Sequence, residues 1–122
     1  MSTILIVEDE PITLDVLSLK LRNEGFEVFT AKNGEEGLQN ALKKHPDLIL
    51  ADIIMPIMDG TKMIEEIRKD EWGKSVPIIV LTNLSRVSSS SGGIKRNVSH
   101  YLLKTDWKLR ELIDKIKEEL AK

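Results

Sequence analysis

Short apolar runs alternate with segments of helical periodicity along the whole chain. Four of the runs are apolar at consecutive positions, which is typical of strands covered on both faces of a sheet. These runs span residues 4–7, 48–51, 78–81 and 101–103. A fifth run, residues 27–30, is shorter and more polar, so we expect it nearer an edge of the same sheet.

The segments between the strands have apolar residues spaced three and four positions apart, which predicts amphipathic helices. The clearest stripes are Leu14, Leu17 and Leu21; Met63, Ile64 and Ile67; and Leu109, Leu112, Ile113, Ile116 and Leu120. Pro11 suits the first turn of a helix, and Pro46 ends the second helix after His45. Asp106 is expected to cap the last helix.

Strand and helix alternate five times, which predicts an α/β domain with a parallel sheet and helices on both faces. Right-handed crossovers then bring the carboxyl ends of all strands to one edge, where such sheets bind ligands. We expect a single domain over residues 1–122. The fourth helix is predicted to be weak or disordered, because serines 88–91 and the pair Gly92-Gly93 disfavour a helix interior.

Composition excludes several classes of protein. Charged residues make up 31% of the chain but the net charge is only −2, which argues against a module with a basic face for nucleic acid. Cysteine is absent, so disulfides and zinc thiolate sites are excluded. No apolar run has the length of a membrane span, and the N-terminus lacks the features of a signal peptide. A cytoplasmic protein is therefore expected.

Reactive side chains stand at the carboxyl ends of four predicted strands. Glu8 and Asp9 follow the first strand, Asp52 the third, Thr82 the fourth and Lys104 the fifth. Each of these residues has an ordinary explanation as a solvated loop or turn residue. Because all of them are expected at the same edge of the sheet, a functional site is favoured instead.

Three carboxylates close together repel one another, so a positive centre must offset them. A hard divalent cation such as Mg²⁺ takes oxygen ligands, and Lys104 adds a second positive charge. Such a site suits phosphoryl transfer, in which the protein positions the group and stabilises its charge. Asp52 is the expected nucleophile, and Thr82 is expected to donate a hydrogen bond to a phosphoryl oxygen.

At these positions the sequence resembles the receiver domains of two-component response regulators, the CheY-like family. The most specific match is the segment 52–60, which reads DIIMPIMDG and corresponds to the phosphoacceptor segment of the family. The acidic pair 8–9, Thr82 and Lys104 match further family positions, and Tyr101 falls at the aromatic switch position. The likeness covers nearly the whole chain.

The resemblance implies a doubly wound five-stranded sheet of flavodoxin-like order 2-1-3-4-5. It also implies a Mg²⁺ ion held by Asp9, Asp52 and the backbone carbonyl of Ile54, with Glu8 acting through water. A histidine kinase or phosphotransfer protein would phosphorylate Asp52 in a phosphorelay. Beyond self-phosphorylation and slow self-dephosphorylation, no enzymatic activity is expected.

In the switch that the resemblance implies, Thr82 moves toward the phosphate and Tyr101 turns inward. The output would be a changed contact with a downstream protein of unknown identity. Because the chain ends soon after the last predicted helix, we expect no direct contact with nucleic acid and none with a membrane.

Two alternatives remain open at this stage. A pseudo-receiver would bind its partner without phosphorylation. This alternative stays open because serines 88–91 and the pair Gly92-Gly93 weaken the predicted fourth helix. A phosphohydrolase with an aspartyl nucleophile is the second alternative. It is less favoured because such enzymes place the nucleophile at the first strand, with a second aspartate two residues later, and Asp9 is followed by Glu10 and Pro11.

Overall fold

A computed structural model describes residues 2–53, 55, 57–82, 98–103 and 108–122. The strands in this part of the chain form one parallel sheet of five strands in the order β2-β1-β3-β4-β5. Their bounds are β1 Thr3–Val7, β2 Glu27–Ala31, β3 Leu48–Ala51, β4 Ile78–Thr82 and β5 His100–Leu103. The predicted α/β class with a parallel sheet is confirmed, and the polar strand β2 lies at an edge.

The described helices connect these strands or follow the last of them. They are α1 Pro11–Asn23, α2 Gly34–Lys44, α3 Gly60–Lys69, a short 3-10 helix Trp72–Lys74, and the C-terminal helix Leu109–Leu120. The predicted fourth helix falls on residues 83–97, which lie outside the described residues. Among the helices that the structure describes, none is long and apolar enough to cross a membrane.

The sheet separates two hydrophobic clusters, because successive side chains of a strand point to opposite faces. One cluster joins Leu5 and Val7 of β1 to α2 and α3, and it includes the predicted stripe of α3. The other joins Ile4 and Ile6 to α1 and the C-terminal helix, with the stripe of α1 buried against them. Helices therefore cover both faces of the sheet, as the alternation of elements predicted.

Local signals define the helix ends. Asn33 caps α2 by accepting a hydrogen bond from the Glu36 N–H at 2.8 Å. At its other end α2 stops before Pro46, as predicted, and its cap residue His45 takes a left-handed conformation with φ 48°. The last described helix begins at Leu109, with Lys108 at its cap position and no side-chain capping bond; Asp106, which was predicted to cap it, lies outside the described residues.

The strand register brings the strand ends to one edge. Val7 at the end of β1 pairs with Ala31 of β2 on one side and with Ala51 of β3 on the other. Thr82, the last residue of β4, pairs with Leu103, the last residue of β5. The residues that follow β1 and β3 are therefore direct neighbours at the carboxyl edge of the sheet.

Candidate functional site

Backbone hydrogen bonds position the two central acidic residues just past the ends of their strands. The Asp52 N–H donates to the Val7 carbonyl at 3.0 Å, and the Glu8 N–H donates to the Ala31 carbonyl at 3.0 Å. Both bonds continue the pairing of the sheet by one residue. Glu8 and Asp52 are thus fixed on adjacent strands by the sheet itself.

Glu8, Asp9 and Asp52 form one carboxylate cluster. Each offers a ligand oxygen, and these oxygens all lie within 4.8 Å of one another. Glu8 is 3% exposed and Asp52 is 9% exposed, whereas Asp9 is exposed to solvent. Because buried like charges at this separation repel strongly, the cluster favours a positive centre between the oxygens.

Short hydrogen bonds orient both buried carboxylates. Asp52 Oδ1 accepts from the Ile53 N–H at 2.7 Å, and Glu8 Oε2 accepts from the Glu10 N–H at 3.2 Å. The local backbone therefore fixes the orientation of both carboxylates at the edge of the sheet.

A second set of contacts fixes the loop from β3 to α3. The Gly60 N–H donates to the Ile53 carbonyl at 2.6 Å, and Asp59 caps α3 by accepting from the Lys62 N–H at 2.9 Å. The Gly34 N–H at the start of α2 donates to the Met58 carbonyl at 2.9 Å. The loop that follows Asp52 is thereby tied to α2 and α3.

Gly60 packs directly against the backbone of the candidate nucleophile. A Cβ built on Gly60 would overlap the Asp52 carbonyl oxygen and lie 2.8 Å from Ile53 Cα. Real Cβ atoms do not approach backbone so closely, so only glycine fits at this position. The glycine that ends the segment 52–60 is therefore a packing requirement of the site.

Ile57 is a residue of this loop that sequence reasoning did not single out. It has φ +70° and is 76% exposed. A positive φ is strained for a β-branched residue and is found mostly at turns and functional sites. No sequence signal indicated it, since isoleucine disfavours this conformation.

An exposed apolar stripe on α1 was also missed. Ile12, Val16 and Leu19 are 72%, 51% and 63% exposed, and their spacing of four and three residues places them on one helix face. The signal was present in the sequence, because α1 also has apolar residues outside the buried stripe. This face begins three residues after Asp9.

The remaining predicted site residues are described only in part or not at all. Thr82 ends β4, which pairs with β3, and Tyr101 lies in β5, which pairs with β4, but neither side chain is among those that the structure describes. Ile54 and Lys104 lie outside the described residues. Their predicted roles stay predictions.

The cluster fits a small divalent cation with oxygen ligands. Mg²⁺ binds oxygens at about 2.0–2.1 Å, so opposite ligands of one ion lie about 4.2 Å apart. The ligand oxygens of Glu8, Asp9 and Asp52 lie within 4.8 Å of one another, so all three can face one ion. Two buried carboxylates and one exposed carboxylate also suit an ion that keeps part of its water shell.

Solved structures similar to this chain include receiver domains with magnesium. The receiver domain of sensor histidine kinase PA1611 from Pseudomonas aeruginosa has a magnesium ion coordinated in its active site cleft; it is 30% identical, with a TM-score of 0.89 over 99% of this chain and 98% of that one. Response regulator TrrA from Thermotoga maritima, in complex with Mg²⁺-BeF, is 37% identical, with a TM-score of 0.84 over 98% of this chain and 99% of that one.

A curated relative corrects one expectation. The DNA-binding dual master transcriptional regulator RpaA of Synechocystis is 33% identical over 104 residues, which are 85% of this chain and 43% of RpaA. The expectation of no nucleic-acid partner is wrong, because relatives of this kind are DNA-binding regulators. The balanced charge on which it rested describes only the part shared with them. The chain spans 40–50% of the length of the first curated relatives.

The sequence also matches a family model over almost its entire length. The model describes the response regulator receiver domain and matches residues 4–117. This range includes the whole carboxylate cluster and all five strands except Thr3, the first residue of β1. The chain therefore belongs to the response regulator receiver domain family.

Proposed function

We propose that this chain is a single receiver domain over residues 1–122 that accepts a phosphoryl group on Asp52 in two-component signalling. The observation that supports this most is the meeting of Glu8, Asp9 and Asp52 at the carboxyl edge of the sheet, in a chain of the receiver family. The phosphodonor is a histidine kinase or a phosphotransfer protein. The proposed location is the cytoplasm.

Mg²⁺ is the proposed cofactor. Asp9, Asp52 and the backbone carbonyl of Ile54 would hold it, with Glu8 acting through a water molecule. When bound, the ion offsets the negative charge of the carboxylates and of the phosphoryl oxygens. The exposure of Asp9 beside the buried Glu8 and Asp52 gives the ion a route from solvent to the site.

In the proposed reaction, a carboxylate oxygen of Asp52 attacks the phosphorus atom of a phosphohistidine. The new bond joins that oxygen to phosphorus, the bond from phosphorus to the donor nitrogen breaks, and its electron pair stays on the nitrogen. The Ile53 N–H, 2.7 Å from Asp52 Oδ1, orients the carboxylate for this attack. Lys104 and Thr82 are proposed to contact the phosphoryl oxygens.

The proposed output is a change at the face that includes β5. Thr82 would move toward the phosphoryl group, and Tyr101 would turn inward with it. RpaA is a DNA-binding regulator of about twice this length, so we propose that the switch controls a transcriptional output. Phosphorylation and slow self-dephosphorylation of Asp52 are the only chemical steps that we assign to the domain.

The experiment that tests this function uses acetyl phosphate as a small phosphodonor and intact-protein mass as the readout. With Mg²⁺ the wild-type protein should gain one phosphoryl group, and with a chelator it should gain none. Absence of the adduct in both conditions would favour a pseudo-receiver. Catalytic release of phosphate from a small phosphoester would favour a phosphohydrolase.

We expect the exposed stripe of α1 to contact the protein phosphodonor. Its residues Ile12, Val16 and Leu19 follow the acidic pair directly and would be buried in a complex that brings a phosphohistidine to Asp52. Substituting Ile12 and Val16 by serine should slow phosphotransfer at least about tenfold, because each aliphatic side chain loses on the order of 1 kcal/mol of burial.

The measurement is phosphotransfer from a purified, autophosphorylated histidine kinase of the same organism. Phosphorylation by acetyl phosphate serves as the control and should be unchanged, since this donor needs no protein contact. Equal slowing with both donors would show that the substitutions damage the site itself rather than a docking face.

Self-dephosphorylation is expected to be slow. Ile54, two residues after Asp52, and Leu84, two residues after Thr82, are both apolar and offer no hydrogen bond to an attacking water. Ile54→Asn should accelerate the loss of phosphate roughly fivefold, since one hydrogen bond contributes about 1 kcal/mol. Decay of the phosphorylated protein in Mg²⁺ measures this, and a wild type that decays faster than the variant contradicts it.

A further inference from the structure

A second cluster of metal-ligating side chains lies where β5 meets the C-terminal helix. It consists of His100, Glu118 and Glu119, and one ligand atom from each lies within 4.8 Å of the others. His100 is the first residue of β5, whereas Asp52 follows the last residue of β3. In a parallel sheet these are opposite edges, so the cluster is separate from the carboxylates around Asp52.

The cluster differs from the Asp52 site in its ligand types. His100 provides an imidazole nitrogen, and the carboxylates come from a different element of the fold. Nitrogen together with carboxylate oxygen favours Zn²⁺ and related transition metals, whereas Mg²⁺ prefers oxygen alone. The carboxylates also lie in the last turn of their helix, where the helix dipole favours cations.

The distance between two of these ligands fits a tetrahedral ion. His100 Nε2 and Glu119 Oε2 are 3.2 Å apart. Two ligands at about 2.1 Å from a tetrahedral Zn²⁺ are about 3.4 Å apart. The present hydrogen bond therefore holds the two atoms close to the separation that one shared ion requires.

The surrounding charges do not prevent binding. The Lys122 ammonium, 2.8 Å from Glu119 Oε2, holds the pKa of that carboxyl below its usual range, so Glu119 is already ionised near neutral pH. The Lys122 side chain is 68% exposed, and an exposed ion pair contributes little stability, so an incoming ion can displace it.

We propose that His100, Glu118 and Glu119 form a binding site for a transition-metal dication such as Zn²⁺. The ion connects the start of β5 to the end of the C-terminal helix. Binding at this site stabilises the folded domain, because the unfolded chain does not hold the three ligands together. The proposal does not depend on phosphorylation of Asp52.

The test is calorimetric titration of the whole chain with Zn²⁺ in the presence of excess Mg²⁺, which occupies the oxygen site. The wild type should bind one Zn²⁺ ion in the micromolar range and unfold at a higher temperature. Glu118→Gln, at an exposed position, and His100→Ala should each weaken binding at least tenfold. With Co²⁺ as the probe, the visible absorption of the bound ion should be lost in His100→Ala.

His45 provides a matched control, because the chain has only two histidines. Its ring stacks on Trp72 with centroids 4.6 Å apart, and it is not a member of the cluster. His45→Asn, which tolerates the left-handed backbone there, should bind Zn²⁺ as the wild type does. Unchanged affinity in His100→Ala or in Glu118→Gln, or no saturable binding by the wild type, would overturn the proposal.

Discussion

Replacing Asp52 by asparagine is expected to abolish phosphoryl incorporation from both acetyl phosphate and a protein donor. The amide has the size of the carboxylate, and its oxygen can still accept the hydrogen bond from the Ile53 N–H. It is neutral, however, and is a far weaker nucleophile than a carboxylate. The variant should fold normally and show no phosphoryl adduct by intact mass.

Asp15→Asn is the matched control for this result. Asp15 lies on the exposed surface of α1, outside the carboxylate cluster, so the same change of charge there should leave incorporation from acetyl phosphate at the wild-type level. If Asp52→Asn still gains a phosphoryl group at the wild-type rate, the nucleophile has been assigned to the wrong residue.

Gly60→Ala is expected to damage both stability and phosphorylation. The added Cβ would overlap the Asp52 carbonyl oxygen and approach Ile53 Cα, so the backbone on either side of the nucleophile must shift. Overpacking against fixed backbone costs up to about 3 kcal/mol of unfolding free energy. Because the displaced atoms belong to Asp52 and its neighbour, acetyl phosphate should also react much more slowly.

Gly25→Ala is the control that separates a loss of stability from a loss of phosphorylation. Gly25 has φ +97° with nothing within 4 Å of a built Cβ, so alanine there is strained but meets no atom. Its loss of stability should be about 1 kcal/mol, with phosphorylation unchanged. Denaturant unfolding and intact mass measure both quantities. A Gly60→Ala protein that phosphorylates as fast as Gly25→Ala would contradict the close packing at Asp52.

Much of this architecture could be predicted from periodicity, because buried strands and amphipathic helices leave different patterns of apolar residues. The stripe Leu14, Leu17 and Leu21 predicted which face of α1 is buried, and the structure confirms it. The approach of Glu8 to Asp52 also followed from sequence, since parallel strands with right-handed crossovers bring these strand ends together.

Other features depend on information that periodicity does not contain. Periodicity does not define the cap of the last helix, which begins at Leu109 with Lys108 at the cap position. Ile57 has a positive φ in a loop whose Met58 carbonyl and Gly60 N–H are both hydrogen-bonded. Isoleucine as a residue type does not predict this conformation. The DNA binding of the relative RpaA could not be predicted from this chain, because the charge of a receiver domain does not report on other parts of a longer protein.

The central claim is that the carboxylates of Glu8, Asp9 and Asp52 form a Mg²⁺-dependent site in which Asp52 is phosphorylated. The most direct measurement treats the protein with acetyl phosphate, reduces the acyl phosphate with borohydride and maps the resulting homoserine by peptide mass spectrometry. We expect homoserine at position 52 alone, formed with Mg²⁺ and absent with a chelator. Homoserine at another position, or equal labelling of position 52 without Mg²⁺, would contradict it.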